Sequence, residues 1–422
     1  MIRMTAKPRI AIVGGGIGGL AAAAFLHRAG LDSTVYEQTP QLKEVGAGLV
    51  VAPNAARLLR RLGVLDTLAA RAVRLETGWE FRRWQDGTVL SAEELATKCE
   101  RLYGEHTYTA HRADLLDAVA QAVPEAAIRL DKRCLRIDTG AGPDAGPVTL
   151  SFADGETVTA DVVVGADGIH SMVRAALTAP APAVYSGLSA FRALVPAEQA
   201  PPFARRPAQT LWLGPGHHLV HYPVSNGTLV NLVAFAPAGG YTTESWTATA
   251  TVAEFLAEFE GWDRRLTDLI TAAGTPGRWA LLDRAPLTSW GSGPVTLLGD
   301  AAHPMFPFFA QGAAQAIEDA ATLAHCLSQE LGGEAGASGP ADLSAALRRY
   351  EMLRIPRTTR LQQISHARAH VNHLPDGPEQ RARDAGFTAV DPLEANAWIY
   401  AHDPEADPAG APHAGNAPDA GR

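Results

Sequence analysis

A chain of 422 residues is more than one small hydrophobic core needs; at roughly 150 residues per domain, it holds two or three. Hydrophobic residues make up 46% and charged residues 19%, with a mean hydropathy of -0.04, which excludes disorder over most of the length. A net charge of -9 without any block of Lys or Arg excludes nucleic acid and anionic membrane as partners.

The chain opens on Arg9-Ile-Ala-Ile-Val13, an apolar run of strand type, followed by Gly14-Gly-Gly-Ile-Gly-Gly19. Residues 20–29 are rich in Ala and Leu and stop at Gly30, as a helix does. The apolar part ends at His27-Arg28, well short of the roughly 18 residues of a membrane span. Nothing before it has the basic, apolar, small-residue order of a signal peptide. Residues 33–38 read as a second strand carrying Glu37 near its end, so the opening is a β-turn-α-β unit and predicts a parallel sheet.

Residues 54–68 have helical apolar spacing, 78–90 read as paired strands around Asp86-Gly87, and 113–123 as an amphipathic helix. Residues 148–152 and 157–165 flank Asp154-Gly155 as a hairpin leading into Val162-Val-Val164. From 185 to 279, alternation and the Ser225-Asn226-Gly227 turn predict an antiparallel sheet with one face packed and one open. A helix over 252–270, a parallel-type strand over 295–298 and a helix over 312–327 complete the pattern. Two Gly/Ala/Pro-rich stretches, 331–340 and 403–422, read as loop or disorder. Cys99, Cys134 and Cys326 are scattered and odd in number, which excludes a disulfide framework and fits a reducing cytoplasm.

Three motifs carry chemistry. Gly14-x-Gly16-x-x-Gly19 lies between a strand and a helix. There the first glycine allows a tight turn, the second lets backbone approach a pyrophosphate, and the third lets helix and strand pack closely. Glu37 follows at about the 20-residue distance where a carboxylate binds ribose hydroxyls. This unit alone does not separate NAD from FAD. Val164-Gly-Ala-Asp167-Gly168 and Val295-Thr-Leu-Leu-Gly299-Asp300-Ala-Ala-His303-Pro304 also follow apolar strands, at the crevice where such sheets bind ligands. The structural alternatives are a surface Asp-Gly turn for Asp167 and a helix N-cap for Asp300.

With these motifs in this order, the chain resembles the single-component flavoprotein aromatic hydroxylases, the family of p-hydroxybenzoate and salicylate hydroxylases, from about Arg9 to about Tyr400. The resemblance implies an α/β fold: a Rossmann-like FAD-binding domain, an inserted, mostly antiparallel β-sheet substrate domain and a C-terminal helical segment. The implied divisions are 1–75, 100–180 and 285–360 for FAD, 76–99 and 181–284 for substrate, 361–402 for the helical segment and 403–422 for a disordered tail. Residue by residue, it implies Gly14, Gly16 and Gly19 at the dinucleotide, Glu37 at the adenosine ribose and Arg112 at the flavin side chain. Asp167 would orient a loop shared by FAD and reduced nicotinamide, and Gly299 and Asp300 would hold the ribityl chain. The backbone from Pro307 through Gln311 to Gly312 would cradle the flavin ring.

The implied reaction is hydroxylation of a small phenolic or hydroxy-heteroaromatic acid by O₂, through a C4a-hydroperoxide of FAD reduced by NADH or NADPH. No second GxGxxG unit is present, so nicotinamide is expected to bind transiently. The implied protein is a cytoplasmic monomer or homodimer with no nucleic-acid or membrane partner. Two rivals stand beside it: an epoxidase or oxidase of the same fold acting on a non-aromatic substrate, and a nucleotide-binding protein without catalytic activity.

The substrate chamber is expected from the middle sheet. Trp212-Leu-Gly-Pro-Gly-His-His218-Leu-Val-His-Tyr222-Pro223 is similar to a strand of salicylate, 3-hydroxybenzoate and 6-hydroxynicotinate hydroxylases. In that likeness, His218 and Tyr222 fall on positions that contact substrate or assist its deprotonation, with core packing as the alternative. On an extended strand 218, 220 and 222 share one face, so His217 and His221 point away. Val50, Phe191 and Phe308, with Phe306 and Phe309, are candidate apolar walls. Phe308 stands where related enzymes often carry His, and Val50 where some carry a polar side chain; both make the pocket less polar and point away from 6-hydroxynicotinate and salicylate. Arg192 is a carboxylate partner or a surface residue.

Overall fold

The computed structural model describes residues 7–42, 47–139, 147–178, 183–241, 243, 248–332 and 342–406. Ile10–Val13 is the middle of a five-stranded parallel sheet, ordered Val295–Leu297, Val162–Gly165, Ile10–Val13, Ser33–Tyr36, Ile128–Arg129. Helices cover its faces, which is why its central strands are continuous apolar runs rather than alternating ones. The helix Ile17–Arg28 packs against Gly312–Gly332, and that helix packs in turn against Leu343–Asn372.

Two expected helices are broken. Residues 54–68 divide into Pro53–Arg61 and Leu65–Ala69 around Gly63. Residues 252–270 divide into Val252–Glu258 and Arg264–Thr271, the second restarting where the Asp263 side chain accepts the Arg265 N–H. In both cases apolar periodicity runs on through a glycine that ends the first helix. At the other extreme, Leu343–Asn372 is one 30-residue helix that crosses the expected division at 360. The chain is placed through Ala406, with Asp403 ion-paired to Arg61; residues 407–422 and the stretch 333–341 lie outside the described residues.

A seven-stranded sheet lies over the carboxyl ends of the parallel strands. Its order is Gly277–Asp283, Val184–Pro196, Leu229–Pro237, His217–Val224, Ala208–Gly214, Thr77–Arg83, Val89–Glu94. All its pairs are antiparallel except Ala208–Gly214 with Thr77–Arg83. One face, carrying Phe191, Trp212, Leu219, Ala234 and Ala236, is buried against Phe255, Phe259, Leu266 and Ile270. The opposite face, expected to be open, lines an internal cavity.

Glu93 on the last strand is a buried acid whose Oε1 has no hydrogen-bond partner among the described residues, and burial raises its pKa to about 8, with Lys98 opposing. Its folded pKa lies above the unfolded value, so it favours folding below about pH 4.5 and costs increasing stability as pH rises toward 8. Glu93→Gln is therefore expected to gain thermal stability over wild type at pH 8.5 and little at pH 5. An equal difference at both pH values would refute this titration.

Candidate active site

A cavity of about 800 Å³ runs from the carboxyl ends of the parallel strands to the inner face of the large sheet. At its first end the Gly-rich turn is closely built. Gly14 has φ +108, and a Cβ there would stand 2.4 Å from the Ala166 carbonyl oxygen; one on Gly19 would stand 2.0 Å from the Gly14 oxygen. Gly14 and Gly16 line the cavity, while Gly19 works behind it, letting helix and strand meet. The helix Ile17–Arg28 has no side-chain cap and no acid in its first turn, so its positive end is left for a ligand. Glu37 lines the same end; its Oε2 accepts the Gly15 N–H at 2.6 Å and its Oε1 the Thr39 N–H at 2.9 Å. Arg112, at the start of the helix Arg112–Ala120, also lines the cavity.

The Asp167 carboxylate accepts from Ser171 Oγ (2.5 Å), Met172 N (2.7 Å) and Val173 N (3.1 Å), so it holds the start of the helix Met172–Leu177. Burial raises its pKa against these bonds. Asp300 lies in the short turn Gly299–Ala301, lines the cavity and caps no helix. Arg174, buried, joins the two loops by donating to Ala301 O (2.9 Å) and to Ile169 O. Behind Gly299, its N–H donates to Asp319 Oδ2 (3.0 Å), which also accepts from His303 Nε2 at 2.5 Å. Pro307 and Gly312 line the cavity. The Gln311 side chain does not: it turns inward, where its Oε1 accepts from Asn54 (3.0 Å) and Gln315 (3.3 Å). The buried amides of neighbouring helices claim this side chain; the expectation for the stretch from Pro307 to Gly312 concerns its backbone.

At the second end, His218 and Tyr222 face the cavity from one side of their strand, with Val220 between them. His217 points away to Glu258 at 3.2 Å, and His221 against Phe203, as period-2 alternation requires. Burial raises the Tyr222 pKa, with Arg192 opposing, so its hydroxyl stays protonated. His218 is held well below its ordinary pKa by burial, then by His373 and Arg368. Val50, Phe306 and Phe308 line this end, and Phe308 stands edge-on to His218 at 5.1 Å. Phe309 instead packs beside Trp79, 5.7 Å away.

Phe191 is not a pocket wall. It stacks on Phe255 at 4.8 Å on the opposite face of the sheet, with Arg278 over its ring. The reason is strand parity: neighbouring Arg192 faces the cavity, so Phe191 cannot. Arg192 lies 4.5 Å from the Trp279 ring centroid. Trp79, Gln209, Phe235 and Trp279 are further lining residues that sequence reading missed. For Trp79 the only signal was its strand pattern, since the parallel pairing that brings it to the cavity is long-range.

A single cavity that starts on a dinucleotide-type turn and ends among aromatic rings brings a flavin and a flat substrate together, as a flavin-dependent hydroxylase must. The model of the FAD binding domain family matches residues 7–363, and the chain belongs to the single-component FAD-dependent aromatic hydroxylases. A 3-amino-4-hydroxybenzoate 2-monooxygenase of Streptomyces platensis is 43% identical over 406 residues, covering 96% of this chain and 98% of that protein. A 6-hydroxynicotinate 3-monooxygenase of Bordetella bronchiseptica is 36% identical, covering 86% of this chain and 92% of that one. A salicylate hydroxylase solved as a substrate complex matches with a TM-score of 0.78 at 28% identity, covering 96% of this chain and 98% of that structure. The protein is an FAD-dependent monooxygenase that uses NADH or NADPH and O₂ to hydroxylate a small aromatic substrate. No helix among the described residues is long and apolar enough to cross a membrane.

Proposed function

We propose that the substrate is a phenolic carboxylate of the 3-amino-4-hydroxybenzoate type, with Arg192 on its carboxylate and His218 and Tyr222 at its phenolic end. The charge of the cavity carries this reading. Among the described residues, its acidic lining residues are Glu37, Asp167 and Asp300, all on the loops after the parallel strands, whereas the large sheet contributes the cation Arg192. A guanidinium on the chamber face of the sheet, over the Trp279 ring, suits a substrate anion. The relative at 43% identity, named for an aminohydroxybenzoate, supports the same choice.

FAD fits the first end of the cavity. Gly14 and Gly16 leave the room for its pyrophosphate, Glu37 is placed for the adenosine ribose, and Arg112, Asp167, Gly299 and Asp300 for the chain leading to the ring. Pro307 and Gly312 form the adjoining wall where the ring would lie. The bound flavin, once reduced by NADH or NADPH, supplies the oxygen-activating chemistry. The chain's own tasks are to fix the ring, exclude water and raise its electron density. Tyr222 does the last as a neutral hydroxyl that hydrogen-bonds a phenolate, and His218 as the acceptor of the phenolic proton. The protein acts as a monomer or homodimer.

The decisive test is NADH and NADPH oxidation over a panel of hydroxybenzoates, aminohydroxybenzoates and hydroxypyridines, with product masses. Stimulation with a gain of one oxygen atom is expected for 3-amino-4-hydroxybenzoate. Turnover confined to uncharged phenols would sink the carboxylate assignment. For the cofactor, Asp300→Ala is expected to weaken FAD by about 1.5–3 kcal/mol, the worth of a hydrogen bond to a charged group. Equilibrium dialysis giving wild-type FAD affinity would remove Asp300 from the ribityl site.

A further inference from the structure

His218 faces the substrate chamber, yet it is a poor place to leave a proton. Its ring is 1% exposed, and His373, Arg368 and His217 add to burial in disfavouring the imidazolium. A group there that accepts a phenolic proton has to pass it on.

Its Nδ1 lies 2.6 Å from Nε2 of His373, which leaves Nε2 as the nitrogen for the chamber. His373 immediately follows the helix Leu343–Asn372 and, unlike His218, is partly exposed. Its carbonyl oxygen accepts the Gly216 N–H at 3.0 Å, fixing the helix end to the turn that precedes His218. Just over one helical turn earlier, Arg368 is buried against the rings of Trp79 (5.6 Å), Phe309 (5.1 Å) and Phe81 (5.7 Å). Its Nε has no hydrogen-bond partner among the described residues, and burial, with Arg383 adding to it and Tyr400 opposing, disfavours its charge. The other charged or titratable groups around the pair are Tyr222, His217 with Glu258, and Arg383 with Asp384.

We propose that His373 is the second station of a two-imidazole exit for the substrate's phenolic proton, receiving it from His218 and releasing it to solvent at the end of the long helix. This rests on the reading that places the phenol at His218. In the resting pair, His218 carries its proton on Nδ1 and donates to Nε2 of His373, which is protonated on Nδ1. The phenolic O–H bond breaks as the His218 Nε2–H bond forms, and the Nδ1–H bond breaks as the His373 Nε2–H bond forms. The His373 Nδ1 proton leaves to water, a phenolate stays in the chamber, and no electron changes hands. The pair is left in the opposite tautomer, and the reverse transfer onto the product oxygen restores it. Burial and Arg368 keep the His218 ring from retaining the proton, and burial and His217 do the same at His373.

The test uses the FAD-loaded enzyme and 4-hydroxy-3-nitrobenzoate, whose phenolate absorbs in the visible, mixed below the phenol's own pKa. Wild type is expected to ionise the bound probe and release a proton to an indicator dye. His373→Gln is expected to slow that ionisation on the order of a hundredfold, with the probe's Kd unchanged. Imidazole added to His373→Gly is expected to restore the rate, which a purely structural histidine would not allow. Wild-type ionisation in His373→Gln, a bound probe that stays protonated in wild type, or no response to imidazole would each overturn the exit. If His218→Gln binds the probe and ionises it normally, the placing of the phenol fails instead, a result separable from failure at His373.

Discussion

Arg354→Met is expected to be the most destabilising conservative-sized substitution in the molecule and to strip it of FAD. Arg354 projects from the long helix into the core, 1% exposed. Its Nε donates to Asp319 Oδ1 and its Nη1 to Glu318 Oε2, both at 2.6 Å, and its Nη2 to Gln315 Oε1 at 2.7 Å. Both carboxylates have no exposed surface; against the cost of burial, Arg357 and Arg354 hold Glu318 well below the usual carboxylate range, and His303 and Arg354 lower Asp319. Removing one member of a buried ion cluster leaves charge without compensation and costs about 3–5 kcal/mol.

The damage also reaches the site. Asp319 holds the Gly299 N–H and His303, and so fixes the turn carrying Asp300. The depressed carboxylates contribute stability above their unfolded pKa values of about 4, and this is lost as pH falls through the folded ones. The variant's deficit should therefore be largest near neutrality and shrink in acid. Calorimetry from neutrality to below pH 4, with flavin content at neutral pH, checks both effects; wild-type stability with stoichiometric FAD would show that the cluster does not hold the fold or the turn. Adding Asp319→Asn should return part of the loss, since it removes one uncompensated charge.

That cluster was invisible in the sequence, where Glu318-Asp319 reads as two charges on a helix and Arg354 as one on another; only their packing makes them one object. What was legible is local. The parallel unit, the Gly-rich turn and the two carboxylate loops are each contiguous stretches whose residue types are dictated by backbone geometry. His218 and Tyr222 were separable from His217 and His221 because strand alternation is a two-residue rule. The same rule, applied to Phe191 and Arg192, would have excluded Phe191; a list of aromatic side chains without parity could not. His373, Trp79 and the inward turn of Gln311 depend on partners 155, 130-odd or 257 positions away, and no local pattern encodes such pairings.

Arg192→Met is expected to change what the enzyme hydroxylates more than whether it can hydroxylate. The guanidinium sits on the chamber face, against Trp279 and near Tyr222, at the large-sheet end of the cavity. A charge-assisted hydrogen bond to a substrate carboxylate is worth about 1.5–3 kcal/mol, so its loss lowers kcat/KM for the carboxylate substrate roughly 10- to 150-fold. The loss should fall mainly on KM, because the carboxylate is remote from the reacting carbon and is bound equally before and during the reaction. The corresponding phenol without the carboxylate should be little affected, since it has no group for the guanidinium to bind. Arg192→Lys should recover part of the affinity but not a bidentate geometry. Equal losses for the acid and its uncharged analogue would mean that Arg192 shapes the chamber through Trp279 and Tyr222 rather than by charge.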